Sequence, residues 1–368
     1  MLLMLGVPGI PDTVQRVPHL ITGQDMLIPE PTTPVVTIQS LIDLAHEARQ
    51  EKPRPHLGCS LLGHECDRWL WLSFRWAVVE KFPGRILRLF RRGHNEEHWI
   101  VSDLRAIGMD IRNTTGAQSR VNFGSHVSGS LDGVIYSGVP GAEKGKHIAE
   151  FKTHSKKSFD SLVKDGVEKS KWRYYIQMQV YMLGMDVDRA LYLAVCKDDD
   201  RIYTERVRLD KALALKYIER GQRIALLDRL PEPMSTDQTW YECQYCPGHD
   251  FCFKSKTTKE VNCRTCANST AMSDSTWHCA KWDDVIPTEA QHTGCESHVL
   301  HPDLVPWQQI DSPKEWVAKY RIGKKEVMNG MPDTDVYSSK ELLANPDACG
   351  QPHNLIDKMR AEFNARIV

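Results

Sequence analysis

In the segment HIAEFKTH (residues 147–154), strand alternation puts Glu150 and Lys152 on one face, in line with Ile148, and turns Phe151 to the other. An acid beside a lysine is common on a solvated strand, so the pair informs only through its company. Asp132 lies in the preceding predicted strand, GSLDGVI, between Gly129 and Gly133, where another chain or a ligand can approach the backbone closely. Upstream, Glu96 and Glu97 fall in a predicted helix, about one turn after Arg91 and Arg92. Downstream, Gln177 and Tyr181 share a helix face. Three carboxylates from separate elements repel one another unless a hard cation sits among them. Mg²⁺ takes carboxylates, carbonyls and waters, and is the natural occupant. A lysine beside it could position a metal-bound water or help deprotonate it.

Glu97, Asp132, Glu150-Phe151-Lys152 and Gln177-x-x-x-Tyr181, in this order and spacing, resemble the PD-(D/E)xK nuclease superfamily in its RecB-like and phage-exonuclease branch. The resemblance covers roughly residues 55 to 228, and RILRLFRRGHNEE, GSLDGVI, AEFKTHSKKSF and YYIQMQVYM have the look of phage-encoded members. It implies an α/β fold, a central mixed sheet flanked by helices with the metal ligands at one edge. Glu97, Asp132, Glu150 and the Phe151 carbonyl would hold one or two Mg²⁺ or Mn²⁺ ions, which activate water and stabilise charge on the scissile phosphate. Lys152 would orient the nucleophile, Gln177 would steady the lysine or the phosphate, and Tyr181 would pack. RecB-like enzymes often place a His four residues after the helix glycine. Here that position, counted from Gly93, is Glu97, as in exonucleases that use Glu, and Glu96 and His94 stay open as substitutes. The implied activity is metal-dependent hydrolysis of DNA phosphodiester bonds by an exonuclease or end-processing enzyme of phage recombination or replication. Its partners would be DNA and a separate helicase, single-strand-binding or annealing protein. A catalytically inactive nucleic-acid-binding scaffold and a CRISPR-adaptation-type end-trimming nuclease are the alternatives.

Eleven cysteines without an export signal point to a reducing compartment, where clustered Cys more often bind metal than form disulfides. Cys243-x-x-Cys246 followed by Cys252 is a metal knuckle one ligand short, and Cys66 is the better fourth ligand, with Cys59 the alternative. The split pattern resembles the iron–sulfur RecB-like nucleases, such as the AddB nuclease domain and the CRISPR-associated adaptation nuclease. That likeness implies a [4Fe–4S] cluster stapling the two ends of the domain; zinc fits the same thiolates. A second group, Cys263-x-x-Cys266, Cys279 and Cys295, has long, uneven gaps that suit zinc. His298 is its main rival ligand, with His278 and His292 nearby.

The elements that must position these residues follow from periodicity. Helices are predicted over 37–50, 66–76, about 85–106 and 172–185, and from the N-cap Asp210 onward. Strands are predicted over 129–136, 146–153, 190–197 and 202–207. The organisation expected is an arm and helix (1–54), the nuclease domain closed by the first cysteine group (55–255), a small zinc module (256–300) and a tail (301–368). Residues 1 to about 36 read as a loosely packed arm, and the tail shows little period before 355–367. Trp69, Trp71 and Trp76 read as core.

Composition bounds the partners. With 47 basic and 48 acidic residues the net charge is −1, which excludes a basic coat but not a local groove. Arg85, Arg88, Arg91 and Arg92 recur along the helix leading to Glu97, and Lys156, Lys157, Lys164, Lys169, Lys171 and Arg173 follow the acidic strand. Together they suit a phosphate track. The longest apolar run, residues 1–7, is too short to span a bilayer, so a cytoplasmic protein without a membrane partner is expected. No phosphate-binding loop is present, since Pro140 and His147 occupy two of its required positions around Gly145-Lys146.

Overall fold

The computed structural model describes residues 36–351 and 354–363; the predicted arm before residue 36 lies outside them. Thr37 and Ser40 form a reciprocal capping box that starts α1 (Ile38–Glu47). Its apolar stripe does not enter the core: Ile38, Leu41, Ile42 and Leu44 are exposed. β1 (Leu57–Gly58) and α2 (Asp67–Phe74) follow, the latter capped by the Cys66 thiol, which accepts from the Trp69 amide. Trp69, Trp71 and Trp76 are buried, as expected. α3 (Gly84–Ala106) meets α1 closely at Gly84, where a Cβ would run into the Asp43 backbone.

Next come β2 (Asp110–Arg112), β3 (Arg120–Asn122), β4 (Val127–Ser130), β5 (Gly133–Ser137) and β6 (His147–His154). The single strand expected over 129–136 is therefore two. β4 pairs with β1 and β3 in a small sheet, whereas β5 joins the main sheet, and Leu131-Asp132 spans the step between them. After β6 the chain forms α4 (Lys156–Ser170), α5 (Trp172–Gly184), β7 (Arg189–Cys196), β8 (Ile202–Arg208) and α6 (Lys211–Leu226). Asp210 caps α6 by accepting from the Leu213 amide. The main sheet runs β2-β5-β6-β7-β8, with β6 and β7 parallel and the other neighbours antiparallel. Ile148 on β6 joins the large core with α2, α5 and α6, while Ala149 and Phe151 join Ile100, Val101 and Leu104 of α3 in a second core. A mixed sheet carrying helices on both faces is a mixed α/β architecture.

Beyond α6 lie α7 (Tyr241–Gln244), β9 (Ser269–Ala271), β10 (Trp277–Cys279), β11 (Asp284–Val285) and α8 (Thr288–Gln291). The expected tail is folded: β12 (Gln308–Ile310), β13 (Ala318–Ile322), β14 (Lys325–Asn329) and β15 (Val336–Tyr337) form a four-stranded sheet, followed by α9 (Ser339–Ala344) and α10 (Leu355–Phe363). The segment just before β9 seats on the first half of the chain through Arg264. Its guanidinium donates to the carbonyls of Phe74 and Pro55 at 2.8 Å each and to Gln291 Oε1 at 2.9 Å, and stacks 3.7 Å over the Trp76 ring. No helix among the described residues is long and apolar enough to cross a membrane.

His298 ties the start of α9 to the turn before Cys263: Nδ1 is 2.7 Å from Ser339 Oγ, and Nε2 is 3.0 Å from the Asn262 carbonyl. Burial holds its pKa down at about 4, against an ordinary 6.5. The folded chain therefore takes up this proton only below about pH 4 while the unfolded chain takes it up near 6.5, so stability falls as pH drops through that window. His298→Gln should be less stable than wild type at neutral pH but should lose less on acidification. Melting curves recorded across this range decide it, and parallel profiles for the two proteins would refute the assignment.

Candidate active site

Glu150 is fully buried on β6. Its Oε2 accepts from Gln177 Nε2 on α5 at 3.1 Å, and its Oε1 forms an ion pair with Lys152 Nζ. That second oxygen receives no hydrogen bond of proper geometry. Lys152 Nζ also donates to its neighbour's carbonyl, Phe151 O, at 2.9 Å, and stands 3.7 Å from Asp132 Oδ2. The same Asp132 oxygen accepts from the Phe151 amide at 2.8 Å, which ties the step between β4 and β5 to the middle of β6. Gln177 thus holds the acid through its side-chain amide.

Helical spacing aligns Gly93, Glu97, Ile100, Val101 and Leu104 on α3, and the last three are buried. A Cβ on Gly93 would lie 4.0 Å from Thr153 Oγ1 of β6, so this face of the helix approaches the sheet. Half-buried Glu97 has its pKa pushed up to about 7, first by burial and then by Asp132, with Lys152 opposing. Glu97 therefore feels the charge of both residues. Of the two substitutes, His94 is exposed and Glu96 half-buried. Burial raises the pKa of Glu150, and Asp132 and Glu97 push the same way while Lys152 opposes. For Lys152 burial works against the charge, but Glu150 and Asp132 outweigh it and hold the ammonium well above its ordinary range. Tyr181 packs: a Cβ on Gly129 would meet its hydroxyl at 2.8 Å and Cys59 Cβ at 2.9 Å. The neighbours that crowd Gly129 belong to the chain itself.

Three carboxylates and a main-chain carbonyl are hard oxygen donors, and the buried Glu150 Oε1 already takes a cation, the Lys152 ammonium. The residues present fit a divalent ion of the Mg²⁺ or Mn²⁺ type. Among the described residues, however, no three His, Cys, Asp or Glu side chains stand gathered as a finished metal site. Here the ammonium of Lys152 lies against Glu150, Asp132 and the Phe151 carbonyl.

A set of residues not read from the sequence surrounds the lysine. The Tyr174 ring lies 5.2 Å from Lys152 Nζ and stacks on Tyr192, whose hydroxyl shares a 2.7 Å hydrogen bond with His154 Nε2. Alternation along β6 could have found His154, which follows Glu150 and Lys152 on the same face; nothing local marks Tyr174. The basic residues divide. Arg88 pairs with Asp43, Arg91 lies 3.4 Å from His46, Lys156 pairs with Asp160 and Asp199, and Arg173 pairs with Glu242 at 2.7 Å. Arg92 donates to the Lys197 carbonyl, Lys157 is exposed and half-buried Lys171 ends α4.

The first four cysteines, Cys66, Cys243, Cys246 and Cys252, line one pocket. Burial pushes the Cys246 thiol up to about 12, and the other three thiols add to the shift. Cys59 lies elsewhere, against Gly129. In the second group burial raises Cys263 to about 12, and Cys266, Cys295 and Cys279 add to it. The histidines nearby are otherwise engaged: His298 as above, His292 stacked 4.2 Å on Trp76, and His278 3.4 Å from Asp283.

No protein-family model matches the chain, and no curated protein sequence matches it. Among solved structures, it is similar to the alkaline exonuclease LHK-Exo of Laribacter hongkongensis, at 16% identity over 49% of this chain and 90% of that one, with a TM-score of 0.32. The structure of LHK-Exo in complex with dAMP gives 15% identity, 50% and 89% coverage, and a TM-score of 0.36. A phage-related exonuclease from Haemophilus somnus 129PT gives 23% identity, 35% and 65% coverage, and a TM-score of 0.26.

The tight seat of Gly129 can be tested directly. Gly129→Ala forces Tyr181 or Cys59 to move in a packed core, and should cost about 1–3 kcal/mol in chemical denaturation. A variant as stable as wild type would show that the contact yields freely.

Proposed function

We propose that this chain is a divalent-metal-dependent nuclease that hydrolyses DNA phosphodiester bonds, acting as an exonuclease or end-processing enzyme of the phage recombination type. The observation that carries the reading is the convergence of Glu150, Lys152 and Asp132 within ion-pair distance, with Glu97 electrostatically coupled to them from a separate helix. Buried acids and a lysine gathered at one point are costly for stability alone, and such perturbed groups are the usual mark of a working site. Glu97, Asp132, Glu150 and the Phe151 carbonyl would hold Mg²⁺ or Mn²⁺, which supplies an activated water and charge neutralisation at the phosphate. Lys152 would orient the attacking water, and Gln177 keeps the Glu150 carboxylate fixed while it does so. Arg92, Lys157 and Lys171 are the residues offered to the DNA backbone, with Arg88, Arg91, Lys156 and Arg173 available once their present partners are exchanged for phosphate. A helicase, single-strand-binding or annealing protein is the partner such an enzyme would serve.

The cysteines extend the same reading. Cys66, Cys243, Cys246 and Cys252 would carry a [4Fe–4S] cluster, a choice supported by their common pocket and by a shape that staples α2 to the segment beyond α6. Cys263, Cys266, Cys279 and Cys295 would bind zinc, a choice supported by the engagement of the neighbouring histidines in other contacts.

End-labelled duplex, single-stranded and circular DNA with Mg²⁺ test the activity. Asp132→Ala and Lys152→Ala should abolish cleavage while leaving DNA affinity nearly intact, and Ca²⁺ should permit binding without cutting. Full activity in either variant would overturn the site. Digestion of circular DNA as fast as linear DNA would overturn the exonuclease assignment but not the nuclease one. The metals are read separately. Anaerobically purified protein should be brown, Cys246→Ser should lose the colour, and Glu150→Ala should keep it. Colourless protein holding two zinc ions per chain would move zinc into the first site.

A further inference from the structure

Lys152 has an unusual set of neighbours for a lysine meant to face substrate. Its ammonium lies against Glu150 Oε1, the Phe151 carbonyl and Asp132 Oδ2. Those are three of the four groups that the proposed function assigns to the metal. The remaining side is closed by the Tyr174 ring, 5.2 Å away and within the range in which a ring face attracts a cation. That ring is not free to drift: it stacks on Tyr192, and Tyr192 is pinned through its hydroxyl to His154, whose other ring nitrogen is 3.3 Å from Ser158 Oγ.

We infer that Lys152 is a resident counter-cation that a divalent metal must displace, and that the face of Tyr174 is the berth to which its ammonium withdraws. The inference rests on the nuclease reading for the identity of the ligand, but its physics is local. A buried carboxylate such as Glu150 is very costly without a positive charge. Among the described residues Lys152 supplies that charge at Glu150, which lets the site form before any metal arrives. A metal on the same oxygens brings more charge, and two cations cannot share them. The lysine must then leave Glu150 without leaving the site, because its charge is still needed at the water. Tyr174 offers a place one short swing away that the neutral ring can give without a competing counter-ion. Lys152 thus has two functions in sequence, holding the acids together first and orienting the nucleophile afterwards. Tyr174 is a positioning residue that sets how readily the exchange occurs.

The test measures metal binding without DNA. Mn²⁺ titrated into wild type, Lys152→Met, Tyr174→Leu and the double variant is followed by the loss of the free-ion electron paramagnetic resonance signal. Lys152→Met should bind Mn²⁺ about tenfold more tightly than wild type, because no ammonium has to be expelled. Tyr174→Leu should bind it about three- to tenfold more weakly, because the expelled ammonium has lost its berth. In the Lys152→Met background the tyrosine change should have no effect, and this non-additivity separates exchange from a general loss of positive charge. Adding Mg²⁺ to wild type should also move the Lys152 side-chain proton resonances upfield as they enter the ring current, a shift absent in Tyr174→Leu. Should Lys152→Met not fold, Lys152→Gln and the single Tyr174→Leu variant carry the comparison. Equal affinity in wild type and the lysine variant, or the same tyrosine effect in both backgrounds, overturns the exchange and leaves the nuclease reading standing. Failure of every protein to bind Mn²⁺ overturns both.

Discussion

A carboxylate cannot be buried in the middle of a sheet without a positive charge beside it, and Glu150 makes that constraint the organising fact of the fold. Lys152 supplies the charge from the same strand, and the two together dictate what can surround them. Gln177 must present its amide from α5 to satisfy the other oxygen, so α5 has to lie across β6 with that face inward. Asp132 must reach in from the step between two sheets, and it does so by accepting from the Phe151 amide. Glu97 approaches from α3, whose apolar residues pack against Ala149 and Phe151 on the opposite face of the strand. The two cores on either side of the main sheet are thus built around one strand whose alternation carries apolar anchors and charged groups in turn.

The charged alternation of β6 was legible because strand periodicity is absolute: residues two apart share a face whatever else happens. The helices over 84–106, 172–184 and 211–226 were legible for a similar reason, being long enough for an apolar stripe to repeat. The break at Asp132 was not. A single run of residues serves two sheets there, and only the pairing partners reveal the division. α4 was hidden by its lysines, since its buried positions are few: Phe159, Leu162 and Val167. The sheet formed by β12–β15 was missed because its strands are two to five residues long. Part of its interior is also held by hydrogen bonds among His298, Asn329 and Ser339, which leave no apolar pattern to read.

The basic residues show how far composition can mislead about a surface. Clustering along α3, α4 and the start of α5 suggested a continuous track, yet several of these side chains are already matched to acids of neighbouring segments. A phosphate backbone would have to compete for them, so they are exchangeable partners rather than waiting ones. The contrast with Lys152 is one of dielectric: surface pairs are worth little and trade easily, whereas the buried pair trades only for another cation of the right size and charge.

Arg264 makes one half of the molecule depend on the other. It stands between two of the second-group cysteines, yet its guanidinium is spent on carbonyls at residues 55 and 74 and on the face of Trp76, all part of the other half of the protein. A segment attached in this way shares its buried contacts with the first half and is not an independent appendage. Removing it would uncover the Trp76 and Phe74 rings and strip two main-chain acceptors of their donor. Each half is thus shaped to the other, and trimming the C-terminal part would leave the surface beneath it to be rebuilt.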